Sequence, residues 1–208
     1  MNIQVLCHSS IKMIENEMVI YIDPFRIKDV AKDADVIFIT HSHYDHFSPE
    51  DILKIKRENT NIIVTNDLYE KTLELGFDKT DIYVVEPNQL YEINNVKFKT
   101  IPAYNTNKKF HPKENGWVGY IIDLNDIKYY IAGDTDITEE NKLVDCDVAL
   151  IPIGGTYTTT YEEAAELTNI IKPKKVIPTH YGEIVGEKDD ANKFKKLIDS
   201  SIECEILI

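Results

Sequence analysis

Apolar positions along this chain fall into two patterns. Short runs rich in Ile, Val and Tyr, bounded by turn residues, predict strands at residues 3–6, 19–22, 35–39, 62–64, 82–85 and 96–101. Further runs predict strands at 117–122, 128–132, 148–151, 175–177 and 203–207. The opening segment, MNIQVLCHSSIKMIE, reads as the first strand; it has neither the basic start nor the apolar stretch of a leader peptide. Between Trp117 and Ala132 two apolar stretches flank the polar pair Asn125–Asp126, which predicts a hairpin there.

Longer stretches carry helix signals. Ser48 stands before Pro49 and three residues ahead of Asp51, which marks a helix start. Thr160 with Glu163 has capping-box spacing and opens a helix over 161–171, stopped before Pro173. Residues 190–198 are helical, with Asp189 or Asp190 near the start, and 66–75 is a fourth helix ended by Gly76. Strands and helices alternate in two halves, with no internal repeat and no low-complexity linker. Pattern alone therefore predicts a mixed α/β chain.

At 208 residues the chain is expected to be one domain, 1–208, with enough apolar surface to bury a core without disulfides. No apolar run reaches bilayer length. The net charge of −13 disfavours nucleic acid and anionic membrane as partners, and the lysines form no basic stripe. Cys7, Cys146 and Cys204 are odd in number, far apart and in no metal-binding spacing, which suits thiols in a reducing cytoplasm.

The chemistry lies in the histidines. There are six, and three of them fall within His41-Ser-His43-Tyr-Asp45-His46. The cluster follows an apolar strand and precedes the helix signal at Ser48, so both of its ends are fixed. In an extended stretch residues two apart point to one side, so His41 and His43 reach one metal position together. Asp45 and His46 follow where the chain turns, and aim at a second position. Neutral imidazole and carboxylate suit Zn²⁺ and similar cations. The alternative for the cluster is a solvated polar loop.

HisSerHisTyrAspHis resembles the His-x-His-x-Asp-His signature of the metallo-β-lactamase-fold hydrolases. IleTyrIleAspPro at 20–24 resembles that family's early Asp motif, AlaGlyAspThrAsp at 132–136 its bridging-Asp motif, and IleProThrHisTyrGly at 177–182 its last metal His. Through CysHisSerSer at 7–10, AspPro at 23–24 and IleProIleGlyGlyThrTyrThr at 151–158, the chain is most similar to a small, undecorated subgroup. That subgroup is related to the ascorbate-6-phosphate lactonases and to other zinc-dependent hydrolases. The resemblance implies an α+β (αββα) fold, with two packed mixed β-sheets flanked by helices and a two-metal site on one edge. It implies His41 and His43 as ligands of the first metal, Asp45, His46 and His180 as ligands of the second, and Asp134 as the bridge. Asp45 and Asp134 are the implied catalytic carboxylates.

The third ligand of the first metal departs from the family pattern, which places a His between the first cluster and Asp134, where IleProAlaTyrAsn at 101–105 puts Asn105 near the expected place. Either His111 reaches back through a loop, or the first metal is held loosely, with Asn105 or water completing the site. Metal-bound imidazoles commonly give their other N–H to a carboxylate, and Asp23 fits that part by resemblance. Pro24 is expected to hold Asp23 extended. His8 either lines the pocket or caps a strand. Gly154, Gly155, Thr156 and Tyr157 form either an anion-binding loop or a tight turn. Tyr44, Tyr104 and Tyr157 either contact substrate or pack.

The resemblance implies hydrolysis of a small ester, lactone or phosphoester by a metal-bound hydroxide. Two Zn²⁺ ions per chain are expected, with Mn²⁺ or Fe²⁺ as alternatives. No Gly-x-Ser-x-Gly nucleophile motif occurs. The competing readings are a nucleic-acid phosphodiesterase of the same fold and a non-catalytic metal-binding protein. The expected partner is a small molecule, not nucleic acid or membrane.

Overall fold

The N-terminal segment expected as one strand forms two. In the computed structural model, which describes residues 2–208, β1 (Asn2–Cys7) and β2 (Ser10–Glu15) pair antiparallel around a turn at His8–Ser9. His8 sits there at φ 56°. A second two-residue turn, Asn16–Glu17 with φ 47° and 71°, leads into β3 (Met18–Ile22). Two successive positive φ values match the twist of a tight hairpin, and Asn tolerates that region better than most residues. Neither turn contains Gly or Pro, so the break within the segment carries no strong turn signal.

The chain divides into two compact units, the first ending at Glu86 and the second spanning Pro87–Ile208. The first unit continues with β4 (Ala34–Phe38), α1 (Pro49–Ile55), β5 (Lys56–Thr65), α2 (Tyr69–Glu74) and β6 (Ile82–Val85). Its six strands form one mixed sheet in chain order, antiparallel from β1 to β3 and parallel from β3 to β6. Ser48 caps α1 with its hydroxyl toward the Asp51 amide, and Pro49 opens the helix. The helix expected over 66–75 is a 3₁₀ turn, Asn66–Leu68, followed by the six residues of α2. Ile37 and Ile39, at and just beyond the end of β4, Ile62 and Val64 of β5, and Ile52 and Ile55 of α1 pack as one buried cluster.

The second unit holds β7 (Leu90–Ile93), β8 (Val96–Pro102), β9 (Val118–Leu124), β10 (Ile127–Ile131), β11 (Val148–Pro152), α3 (Tyr161–Ile171), β12 (Lys175–Thr179), α4 (Asp190–Leu197) and β13 (Glu203–Cys204). These seven strands also lie in chain order, antiparallel from β7 to β10 and parallel from β10 to β13. The expected hairpin is present: Asn125 and Asp126 take φ 53° and 63° between β9 and β10. Asn94 and Asn95 turn β7 into β8 in the same way, a hairpin with no counterpart in the sequence expectation. The capping box of α3 forms, with Thr160 Oγ1 accepting from the Glu163 amide and Glu163 Oε2 from the Thr160 amide. The final strand, expected over 203–207, pairs only at Glu203–Cys204. Each unit is thus a mixed sheet with a few helices, the α+β class expected.

In both units the parallel strands deliver chemistry at their C-terminal ends. β4 runs out through Ile39 and Thr40 to His41, β10 through Ala132 and Gly133 to Asp134, and β12 directly into His180.

Candidate metal centre

The first unit gathers its polar cluster around Asp23. The Asp23 amide donates to Phe38 O at 2.9 Å, continuing the β3–β4 ladder by one step. The backbone then turns to φ 47°, so the extended conformation expected ahead of Pro24 is not adopted. Asp is among the residues that tolerate this region. The strain, of order 1–3 kcal/mol, persists only where surrounding contacts hold it. Here the carboxylate supplies those contacts. Oδ1 accepts from the Thr40 amide at 2.8 Å, and Oδ2 accepts from the Thr40 hydroxyl at 2.7 Å and faces His46 Nδ1 at 2.7 Å. Burial pushes the Asp23 carboxyl up from its ordinary value, and the His46 imidazole and the Thr40 donors oppose that push.

These bonds select tautomers. Thr40 gives its hydroxyl hydrogen to Asp23, so toward His41 Nδ1, 3.0 Å away, it acts as acceptor. His41 and His46 therefore carry their proton on Nδ1 and their lone pair on Nε2. His41 Nε2 lies 3.1 Å from His43 Nδ1. The loop closes tightly, with the His46 and Phe47 amides both donating to His43 O. Asp45 Oδ2 lies 3.4 Å from His8 Nε2 and 3.6 Å from His46 Nε2. His8, from the first hairpin turn, is fully buried against this carboxylate, so it joins the donor cluster. Thr40 escaped the sequence reading; its one signal is its place directly before His41.

In the second unit His111, Asp134 and His180 are all buried. Asp134 Oδ2 stands 3.3 Å from His111 Nε2 and 3.1 Å from His180 Nε2. Asp134 is reached through Gly133 at φ 66°, and His180 itself takes φ 57°. His111 does reach back through its loop: its amide donates to Asn105 Oδ1 at 3.0 Å, and the Asn105 amide donates to His111 O at 2.8 Å. The loop is held from below by Asp136, which accepts from the Thr106 amide at 2.8 Å and from Lys108 Nζ at 2.6 Å.

The Gly154–Tyr157 segment is a close-packed turn. A Cβ on Gly154 would lie 2.3 Å from His180 O and 2.6 Å from Val185 Cγ2. The Gly155 amide is spent on Thr159 O and the Thr156 amide on Gly154 O, so these donors are committed within the loop and form no anion cradle. Two of the three tyrosines are engaged with neighbouring side chains. Tyr104 donates to Glu140 Oε2 at 2.8 Å, and Tyr157 meets Phe110 edge-on at 4.7 Å between ring centroids. Tyr44 is two-thirds exposed beside Phe25.

The donor chemistry fits a divalent cation. Ligands about 2.0–2.1 Å from one tetrahedral ion lie roughly 3.4 Å from each other. The His41–His43, His111–Asp134 and His180–Asp134 separations of 3.1, 3.3 and 3.1 Å match that spacing. The donors are imidazole and carboxylate without thiolate, which suits Zn²⁺, Mn²⁺ or Fe²⁺.

The chain is similar to several known proteins. Residues 2–180 match the family model described as beta-lactamase superfamily domain. A UPF0173 metal-dependent hydrolase of Thermococcus onnurineus is 31% identical over 219 residues, covering 99% of this chain and 95% of that protein. Its counterpart in Pyrococcus horikoshii is 32% identical over 209 residues, covering 93% and 91%. A crystal structure assigned as a metal-dependent hydrolase from Parabacteroides distasonis superposes with a TM-score of 0.85 at 31% identity, over 98% of this chain and 91% of that one.

Proposed function

This chain belongs to the metallo-β-lactamase superfamily of metal-dependent hydrolases, and from that premise we propose that it hydrolyses a small ester, lactone or phosphoester. The observation that carries the reading is Asp134 Oδ2 standing 3.3 Å from His111 Nε2 and 3.1 Å from His180 Nε2. A carboxylate oxygen between two imidazole nitrogens is a ligand arrangement more than a packing one. We assign two cations per chain, Zn²⁺ foremost, to His41, His43, Asp45, His46, His111, Asp134 and His180. This assignment rests on the order of the family's motifs.

A bound divalent cation supplies acidified water and polarisation of the bond under attack. The residues supply the rest. Asp23 and Thr40 keep the Nε2 lone pairs of His41 and His46 directed away from their own hydrogen bonds. Asp134 and Asp45 would offer carboxylate oxygens that hold the cations and orient the attacking water. The acidic surface, at a net charge of −13, favours a small substrate over a nucleic acid. No helix among the described residues is long and apolar enough to cross a membrane, and the cysteine spacing supports a cytoplasmic setting.

The test is elemental analysis of protein purified without chelator, joined to a hydrolysis screen across small esters, lactones and phosphoesters. Activity should vanish with chelator and return with metal. Protein that neither carries nor takes up a divalent cation would overturn the reading.

A further inference from the structure

The structure assigns Asn105 as the positioning residue of His111, a role that rests on reading His111 as a metal ligand. Asn105 spends its side chain on His111 and Tyr157 and so does not act as a ligand itself. The orientation of its amide is fixed from both sides. Oδ1 accepts from the His111 amide at 3.0 Å, while Nδ2 donates to Tyr157 O at 2.9 Å. Turning the amide over would set an NH₂ group against an N–H and an oxygen against a carbonyl.

That orientation decides the state of the imidazole. His111 Nδ1 lies 3.1 Å from the same Oδ1. The oxygen only accepts, so Nδ1 carries the proton and donates. A neutral His111 then has its lone pair on Nε2, the nitrogen that faces Asp134 Oδ2 at 3.3 Å. The backbone pair from the Asn105 amide to His111 O at 2.8 Å closes the loop, and Asp136 holds the residues between them. The loop thus supplies an imidazole from six residues downstream, and one amide side chain sets both its direction and its tautomer. The equivalent bond to His46 is made by a carboxylate, Asp23. The amide of Asn105 does the same work without adding negative charge.

The test uses the full chain, stripped of metal and titrated with Zn²⁺. Trp117, the single tryptophan, meets His111 edge-on at 5.6 Å between ring centroids, so its fluorescence reports binding at His111. Metal content per chain is measured in parallel, with circular dichroism as the folding control. Asn105→Ala should weaken the Zn²⁺ affinity seen by Trp117 about 10- to 100-fold, the usual effect of removing a partner behind a ligand. Asn105→Asp keeps an acceptor for both His111 donors but cannot donate to Tyr157, and should bind Zn²⁺ at least as well as the native chain. Wild-type affinity in Asn105→Ala, with loss in His111→Ala, would overturn the positioning role while leaving His111 a ligand. Equal loss in Asn105→Asp and Asn105→Ala would make Asn105 a mere loop tether and also overturn it. If Asn105→Ala does not fold, Asn105→Ser, whose shorter side chain withdraws the acceptor from His111 Nδ1, takes its place with the same expected loss. Wild-type Zn²⁺ binding in His111→Ala would instead remove the ligand reading beneath the proposal.

Discussion

Asp23 and His46 form a buried pair, Oδ2 to Nδ1 at 2.7 Å, with side chains 1% and 0% exposed. The same carboxylate takes the amide and hydroxyl hydrogens of Thr40. Asp23→Ala therefore strands three donors, each at about 1–3 kcal/mol when left buried without a partner. It also releases the tautomers of His41 and His46. The variant should unfold at lower urea and bind Zn²⁺ about 10- to 100-fold more weakly. Native urea stability together with native Zn²⁺ affinity would show that the pair positions nothing.

Asp134 is the carboxylate that faces both His111 and His180. Asp134→Ala should abolish metal-dependent turnover and lower total metal content, whereas His111→Ala should remove one cation and keep the other. Metal per chain, measured by elemental analysis on folded variants, separates the two outcomes. Full metal and full activity in Asp134→Ala would dismantle the proposed site.

Gly154 leaves no room for a side chain beside His180. The Cβ of Gly154→Ala would fall 2.3 Å from His180 O, a backbone atom that cannot rotate away. Overpacking of this kind costs about 1–3 kcal/mol or more, and relief requires His180 to shift. Thermal unfolding should show the loss, and metal affinity should fall with it. A variant that loses stability but keeps native metal binding would mean that the Gly154 backbone gives way instead of His180.

Asp51 ties α1 to the loop between β3 and β4. It accepts from the Arg26 and Ile27 amides at 2.8 and 2.9 Å, from Ser48 Oγ at 2.7 Å and from Lys54 Nζ at 2.9 Å. Burial alone would raise its carboxyl, but these donors outweigh burial and hold it below the ordinary value. A depressed folded value stabilises the fold above the unfolded value of about 3.9. That stability drains away as pH falls through the lower folded value. Asp51→Asn should therefore be less stable than the native chain near neutrality, and the gap should shrink in acid. Urea midpoints at both pH values provide the check, and a gap independent of pH would contradict it.

Much of the candidate site is visible in the sequence because its residues are local or follow strong strands. The His41–His46 cluster is six residues long, and Asp134 and His180 each follow an apolar run. The capping box of α3 is equally local. What escapes sequence reading depends on contacts between distant positions. Asp23 lies left-handed ahead of a proline because Thr40 and His46 hold its carboxylate. Local sterics alone argue for the extended form. Asn105 and His111 find partners far along the chain, Tyr157 O for the Asn105 amide and Asp134 for the His111 ring. β2 and β7 go unrecognised because their neighbouring turns are built from Asn16–Glu17 and Asn94–Asn95 without glycine. β7, Leu-Tyr-Glu-Ile, also has only one β-branched residue.

The order of strands in each sheet bears on how the chain collapses. Every strand lies beside its predecessor in the sequence, from β1 to β6 and from β7 to β13. No sheet has to keep a gap open for a later segment. Each new ladder requires closing only the connection just synthesised, the longest running from Thr179 to Glu203. Closure entropy rises only by about 0.6 kcal/mol for each doubling of such a connection. Assembly can therefore proceed outward strand by strand, and the tight antiparallel turns at His8–Ser9, Asn16–Glu17, Asn94–Asn95 and Asn125–Asp126 are the natural places for it to begin.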